Sequence, residues 1–101
     1  MTTKQALIAM RELLSDPKRW TKGANARNAA GQSTCAGNSD AKCWCLAGAA
    51  IRTGNYEGCM RAIKKLTPDD RHLDGAVLFN DDPTTTHSDI LRVLDAAIEG
   101  A

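Results

Sequence analysis

Apolar positions fall into blocks whose spacing predicts helices. Near the start, Leu7, Met10 and Leu14, joined by Ala6 and Leu13, recur at helical intervals. Thr2 or Thr3 can cap this helix and Asp16-Pro17 ends it, because the residue before proline is pushed out of helical geometry. The next block, CWCLAGAAI at 43–51, leaves almost no polar face on a helical wheel, the mark of a buried helix. With Asp40 to cap it and Gly54 to stop it, a central helix is expected over 41–53. Asn55 caps a further helix with Tyr56, Cys59, Met60, Ile63 and Leu66 inward and Arg61, Lys64 and Lys65 outward. Thr67-Pro68-Asp69-Asp70 reads as another start, for a short helix ending near Gly75. Ala76-Val77-Leu78-Phe79 is too brief an apolar run to assign, and Asn80-Asp81-Asp82-Pro83 reads as a turn. The last helix carries Ile90, Leu91, Leu94, Ala97 and Ile98 on one stripe, with Gly100 beyond its end. Residues 21–39 show no stripe; their Gly, Asn, Ser and Ala suit either a loop or a small hairpin turning at Asn28-Ala29-Ala30-Gly31.

These elements describe a mostly α fold. A chain of 101 residues makes one domain, 1–101, of four to five helices around the central 41–53 helix, with room for one small β-hairpin in 24–36. The aromatic residues are two Trp, one Tyr and one Phe, so the core must be built from aliphatic and small side chains.

Charge narrows the partners. Thirteen basic residues against twelve acidic ones leave no excess for broad binding to nucleic acid or to an anionic membrane. The opening MTTKQALIAMRELL carries Lys4, Arg11 and Glu12 and lacks the apolar run of a signal peptide. Nor does any segment approach the roughly 20 apolar residues of a membrane span. A cytoplasmic protein with reduced thiols is expected.

The four cysteines raise three readings. As zinc ligands, Cys35, Cys43, Cys45 and Cys59 match no paired spacing, so no metal and no cofactor is expected. As a nucleophile, Cys45 or Cys43 in the first turn of the 41–53 helix would sit where the helix dipole favours thiolate. His87 would then serve as base, oriented by Asn80, Asp81 or Asp89, in the manner of a cysteine hydrolase or transferase. As core, the cysteines are small hydrophobes in a buried helix. The third reading is favoured, because a reactive thiol needs access that burial denies.

Two polar stretches remain. Arg19-Trp20-Thr21-Lys22-Gly23 follows the first helix, and Phe79-Asn80-Asp81-Asp82 precedes Thr86-His87-Ser88-Asp89. Turn and cap chemistry accounts for these residue types, Thr86 with Asp89 as a capping box among them. Trp20, Lys22, Arg27, Asn80, Asp81 and His87 are also the candidate binding residues if the two stretches meet.

The order of RWTKGANARNAAG, CWCLAGAAI and LFNDDPTTTHSDILRVLDAAIEG resembles a family of small bacterial and phage proteins of unknown function. Its pattern is Trp-Thr-x-Gly, then Cys-x-x-Gly-Ala, then Phe-Asn-Asp ahead of a final helix. The matching positions here are Trp20, Gly23, Ala26, Arg27, Cys45, Gly48, Ala49, Phe79, Asn80, Asp81, Thr86 and Asp95. Cys35, Cys43 and Cys59 stand outside the pattern. The resemblance implies a single domain of phage or mobile-element origin, and supplies no activity. The expectation is a non-enzymatic binding or regulatory module acting through a protein partner, with self-association left open. A thiol-dependent enzyme and a small-ligand-binding domain are the alternatives.

Overall fold

Helix starts follow local capping wherever the cap and its target lie within four residues. The computed structural model of the chain describes residues 2–67 and 75–101. Helix α1 (Thr3–Leu13) begins at Thr2, whose hydroxyl accepts the Gln5 N–H at 3.1 Å while the Gln5 side chain accepts the Thr2 N–H at 2.9 Å. Helix α3 (Tyr56–Lys64) begins at Asn55, which accepts the Gly58 N–H at 3.3 Å. Helix α5 (His87–Gly100) begins with the Thr86–Asp89 capping box and runs through Gly100, which is its last residue and not the residue beyond it. The short helix expected after Thr67 lies outside the described residues.

The expected hairpin forms, and it gains a third strand. Strands β1 (Ala26–Asn28) and β2 (Ser33–Thr34) pair antiparallel across a turn in which Asn28 Oδ1 accepts the Ala30 and Gln32 N–H groups, each at 3.0 Å. Strand β3 (Ala41–Trp44) pairs with the other edge of β1, giving the order β2-β1-β3. The register skips Lys42, which is exposed.

This strand corrects the start of the central helix. Helix α2 covers Leu46–Thr53, so Ala41–Trp44 is extended and neither Cys43 nor Cys45 lies within the helix. Pairing decides it: a helix from residue 41 would leave the outer edge of β1 without partners, and strand preference yields to such context. Asp40 caps nothing; its carboxylate accepts the Thr34 hydroxyl at 2.9 Å. Cys45 is the cap instead, its sulfur accepting the Gly48 N–H at 3.3 Å. Gly54 does end α2, in the left-handed conformation with φ of 86°.

The second correction lies upstream of α5. Gly75–Asp81 is a helix, α4, so Asn80 and Asp81 occupy its last turn and the turn proper starts at Asp82.

Leu7, Met10, Leu14, Leu46, Ile63, Ile90 and Leu94 are fully buried, each stabilising the fold by roughly 1.5–3 kcal/mol relative to exposure. Trp44 is the one aromatic residue among the buried core. Tyr56 and Leu66 were expected inward, yet both are 46% exposed. They bracket α3, where the helix leaves its packed neighbours. Ile51 near the end of α2 is likewise 43% exposed, so that helix is buried only through Ala50.

Candidate functional site

The two polar stretches meet. A single helical turn, Pro17–Arg19, is capped by Asp16 and hands the chain to Trp20 in extended geometry. Trp20 forms a parallel bridge with Trp44, and the Thr21 N–H donates to the Trp44 carbonyl at 3.1 Å. Strand β3 therefore holds residues 20–23 in place while α4 brings Asn80 to the same spot.

Asn80 has no exposed surface. Its Oδ1 accepts the Trp20 indole N–H at 2.7 Å and the Leu46 N–H at 3.1 Å. Its Nδ2 donates to the Thr21 carbonyl at 3.1 Å and to Asp81 Oδ1 at 2.9 Å. Both amide hydrogens are used, and so are two acceptor directions. The orientation of the amide follows, since a flipped group would set its NH2 against two N–H donors. The Leu46 N–H is one of the donors left over at the start of α2, so Asn80 also serves that helix from 34 residues away.

The remaining candidates extend the same network. Asp81 Oδ1 accepts the Gly23 N–H at 3.0 Å. Lys22 Nζ donates to the carbonyls of Asp82 at 2.6 Å and Thr85 at 2.9 Å, and lies 5.3 Å from the centre of the Trp20 ring. Arg27 donates to the Thr21 hydroxyl and to the carbonyls of Lys22 and Gly31, each at 3.1 Å. The His87 ring lies 6.1 Å from that of Trp20, and its Nε2 is 2.6 Å from the Leu14 carbonyl. A carbonyl only accepts, so Nε2 carries the hydrogen. All six candidate binding residues thus belong to one cluster.

The cysteines behave differently. Cys45 is 4% exposed, with Asn25 Oδ1 at 3.9 Å from its sulfur. Burial pushes its thiol above the ordinary value, and the nearby charge of Asp81 adds to that. The N–H groups of Gly48 and Ala47 pull the other way and do not prevail. Burial also raises the Cys59 thiol. Cys43 is half-buried with its sulfur 3.9 Å from the Arg27 carbonyl, and Cys35 is exposed. The hydrogen-bond partners of Cys43 and Cys45 do not include His87.

The profile of a family of unknown function, DUF6197, matches residues 1–100. The chain belongs to that family. No curated protein and no solved structure matches it. Trp20 is tied directly to Asn80, Asn80 to Asp81 and Asp81 to Gly23, whereas Cys45 and Gly48 shape the start of α2.

Sequence reasoning passed over Thr21, Asn25 and Thr85. Thr21 supplies a carbonyl and a hydroxyl, and Thr85 a carbonyl. The Asn25 carbonyl accepts the Cys45 N–H at 3.3 Å and lies where a Cβ on Gly48 would be 1.8 Å away. Apart from the Thr21 hydroxyl and the Asn25 side chain, backbone atoms do this work, and a sequence carries no signal for them. Gly48, a glycine within the buried α2 helix, was the one available hint.

Proposed function

We propose that the chain is a small non-enzymatic binding or regulatory module that works through protein–protein contacts in the cytoplasm, carried by a phage or mobile element. The observation that carries this reading is the saturation of Asn80. Its donors and acceptors are all engaged within the chain, so the central residue of the cluster is occupied in joining α4 to residues 20 and 21 and to α2. Cys45, the cysteine at a helix start, is buried and protonated at neutral pH, which is opposite to what a thiol nucleophile needs. Large apolar side chains meanwhile face outward at Ile8, Ile51, Tyr56, Leu66 and Leu78, between 40% and 52% exposed. The free thiols suit a reducing compartment, and the family resemblance supports the mobile-element origin.

Timed alkylation of the folded chain, read by intact mass, tests the reading. Cys45 and Cys59 are expected to react at least ~100-fold more slowly than exposed Cys35, in keeping with protected, protonated thiols. Fast alkylation of Cys45, slowed by His87→Ala, would overturn the module reading in favour of thiol chemistry.

A further inference from the structure

Away from the Asn80 cluster, the start of α1, the outer side of α3 and the last turns of α5 enclose an open groove of about 560 Å³. Gly58, Ala62 and Leu66 line one side, and Ala96, Ala97 and Gly100 the other. Gly58 with Ala62 on one side and Ala96 with Gly100 on the other, four apart on each helix, keep the walls low there and admit a close-lying rod on an apolar floor. Gly58 to the end of α3 at Lys64 covers about 9 Å of helix rise, between one and two turns of a docked helix. Among the described residues, the charged side chains that line the groove are of one sign. Lys4, Arg61 and Lys65 line the groove, and no aspartate or glutamate does among the described residues. Arg61 meets Glu57 at 3.3 Å, but both side chains are mostly exposed, and such pairs offset little.

We infer that this groove docks an acidic amphipathic helix of a partner protein, its apolar face on the Ala–Gly floor and its carboxylates toward Lys4, Arg61 and Lys65. The mode is helix-in-groove recognition. The carbonyl end of α5 at Gly100 favours the N-terminal, positive pole of such a helix lying beside it. Charge complementarity selects the occupant: a basic helix would meet like charge from Lys4, Arg61 and Lys65, whereas an acidic one is attracted by them. The inference rests on the protein-contact reading above and specifies its surface.

The probe is a synthetic 15-residue peptide with leucine at every third or fourth position and glutamate on the flanks, compared with a copy carrying lysine for glutamate. Titrated into the isotope-labelled full chain, the acidic peptide is expected to shift the amides of Gly58, Ala62, Leu66, Ala97 and Gly100. It should bind about tenfold or more tightly than the basic copy at low salt, and that margin should shrink as salt rises. Lys4→Glu with Lys65→Glu should invert the preference, and exposed Ala96→Trp should abolish binding with the far-UV spectrum unchanged. Shifts elsewhere, equal binding of both peptides, or no binding overturns the groove. So does a dimer that Ala96→Trp disperses, or capture by anionic vesicles alone. The thiol experiment reads the other reading separately: slow thiols without peptide binding would sink the groove and leave the module reading standing, and a fast Cys45 with peptide binding would do the reverse.

Discussion

The Asn80 cluster and the α3–α5 groove occupy different parts of one small domain and are built on opposite principles. At the cluster, long polar and aromatic side chains fill space and spend their hydrogen bonds on each other. Asn80 alone makes four such bonds without touching solvent. At the groove, alanine and glycine leave space open, and Lys4 and Lys65 stand at its edge. The contrast teaches that conspicuous residues need not be working residues. A buried amide that reaches full satisfaction becomes rigid, because any displacement exposes an unpaired donor in a low-dielectric setting. Surfaces that receive partners need the reverse: shallow relief, apolar area and charge not yet committed.

The contrast breaks first at Asn80. Replacing it with leucine keeps the bulk but strips partners from the Trp20 indole, the Leu46 N–H and the Thr21 carbonyl. A loss of about 3–5 kcal/mol is expected, since each buried unpaired group costs about 1–3 kcal/mol. Urea unfolding measures it; a loss below about 1 kcal/mol would mean the cluster is not what holds α4 in place.

Two glycines sharpen the comparison at the next level. At Gly48 an added Cβ would sit 1.8 Å from the Asn25 carbonyl oxygen, a backbone atom tied to Cys45. Gly48→Ala should therefore cost about 2–3 kcal/mol as strand and helix are forced apart. At Gly58 the added Cβ would meet only the side-chain ends of Thr3 at 2.7 Å and Asn55 at 2.8 Å. Thr3 can swing aside; moving Asn55 weakens the α3 cap by about 1 kcal/mol, which alanine offsets with about 1 kcal/mol of helix propensity. Gly58→Ala should fall within about 1 kcal/mol of the parent in thermal melts. Equal penalties for the two would erase the distinction between a packed and an open end.

The smallest effect is in acid. Bonds from Thr84 hold the Asp82 carboxyl below its ordinary value, and bonds from Thr86 do the same for Asp89. A carboxylate with a lowered folded value contributes stability that is complete above its unfolded value, about 3.9. That contribution is lost as pH falls through the folded value. Melting midpoints measured from pH 6 to 2 should thus decline below about pH 4. Asp89→Asn should flatten the decline slightly, and no change in slope would show that the capping box is not coupled to protonation. Asn80 does not titrate, so the cluster itself contributes nothing to this slope.

Much of the helical frame was legible because its signals are short-range. Thr2 with Gln5, Asn55 with Gly58, Thr86 with Asp89, and Gly54 at the end of α2 each act within a few residues. The small hairpin was legible through Asn28 and Gly31 for the same reason. Strand β3 was not: CWC followed by alanines looks like helix until β1, some sixteen residues earlier, offers an edge to pair with. Helix α4 was hidden because four apolar residues carry no period, and its Asn80 looked like a turn residue.

Sequence by itself therefore determined a mostly helical single domain, its caps, its aliphatic core and its near-neutral charge, all set by local spacing and composition. Only the tertiary structure decided that Trp20 and Asn80, sixty residues apart, share a hydrogen bond, that Cys45 caps a helix in place of Asp40, and that three cations edge one groove. Those facts depend on which distant backbone donors and empty spaces are brought together, and no pattern along the chain encodes such pairings one residue at a time.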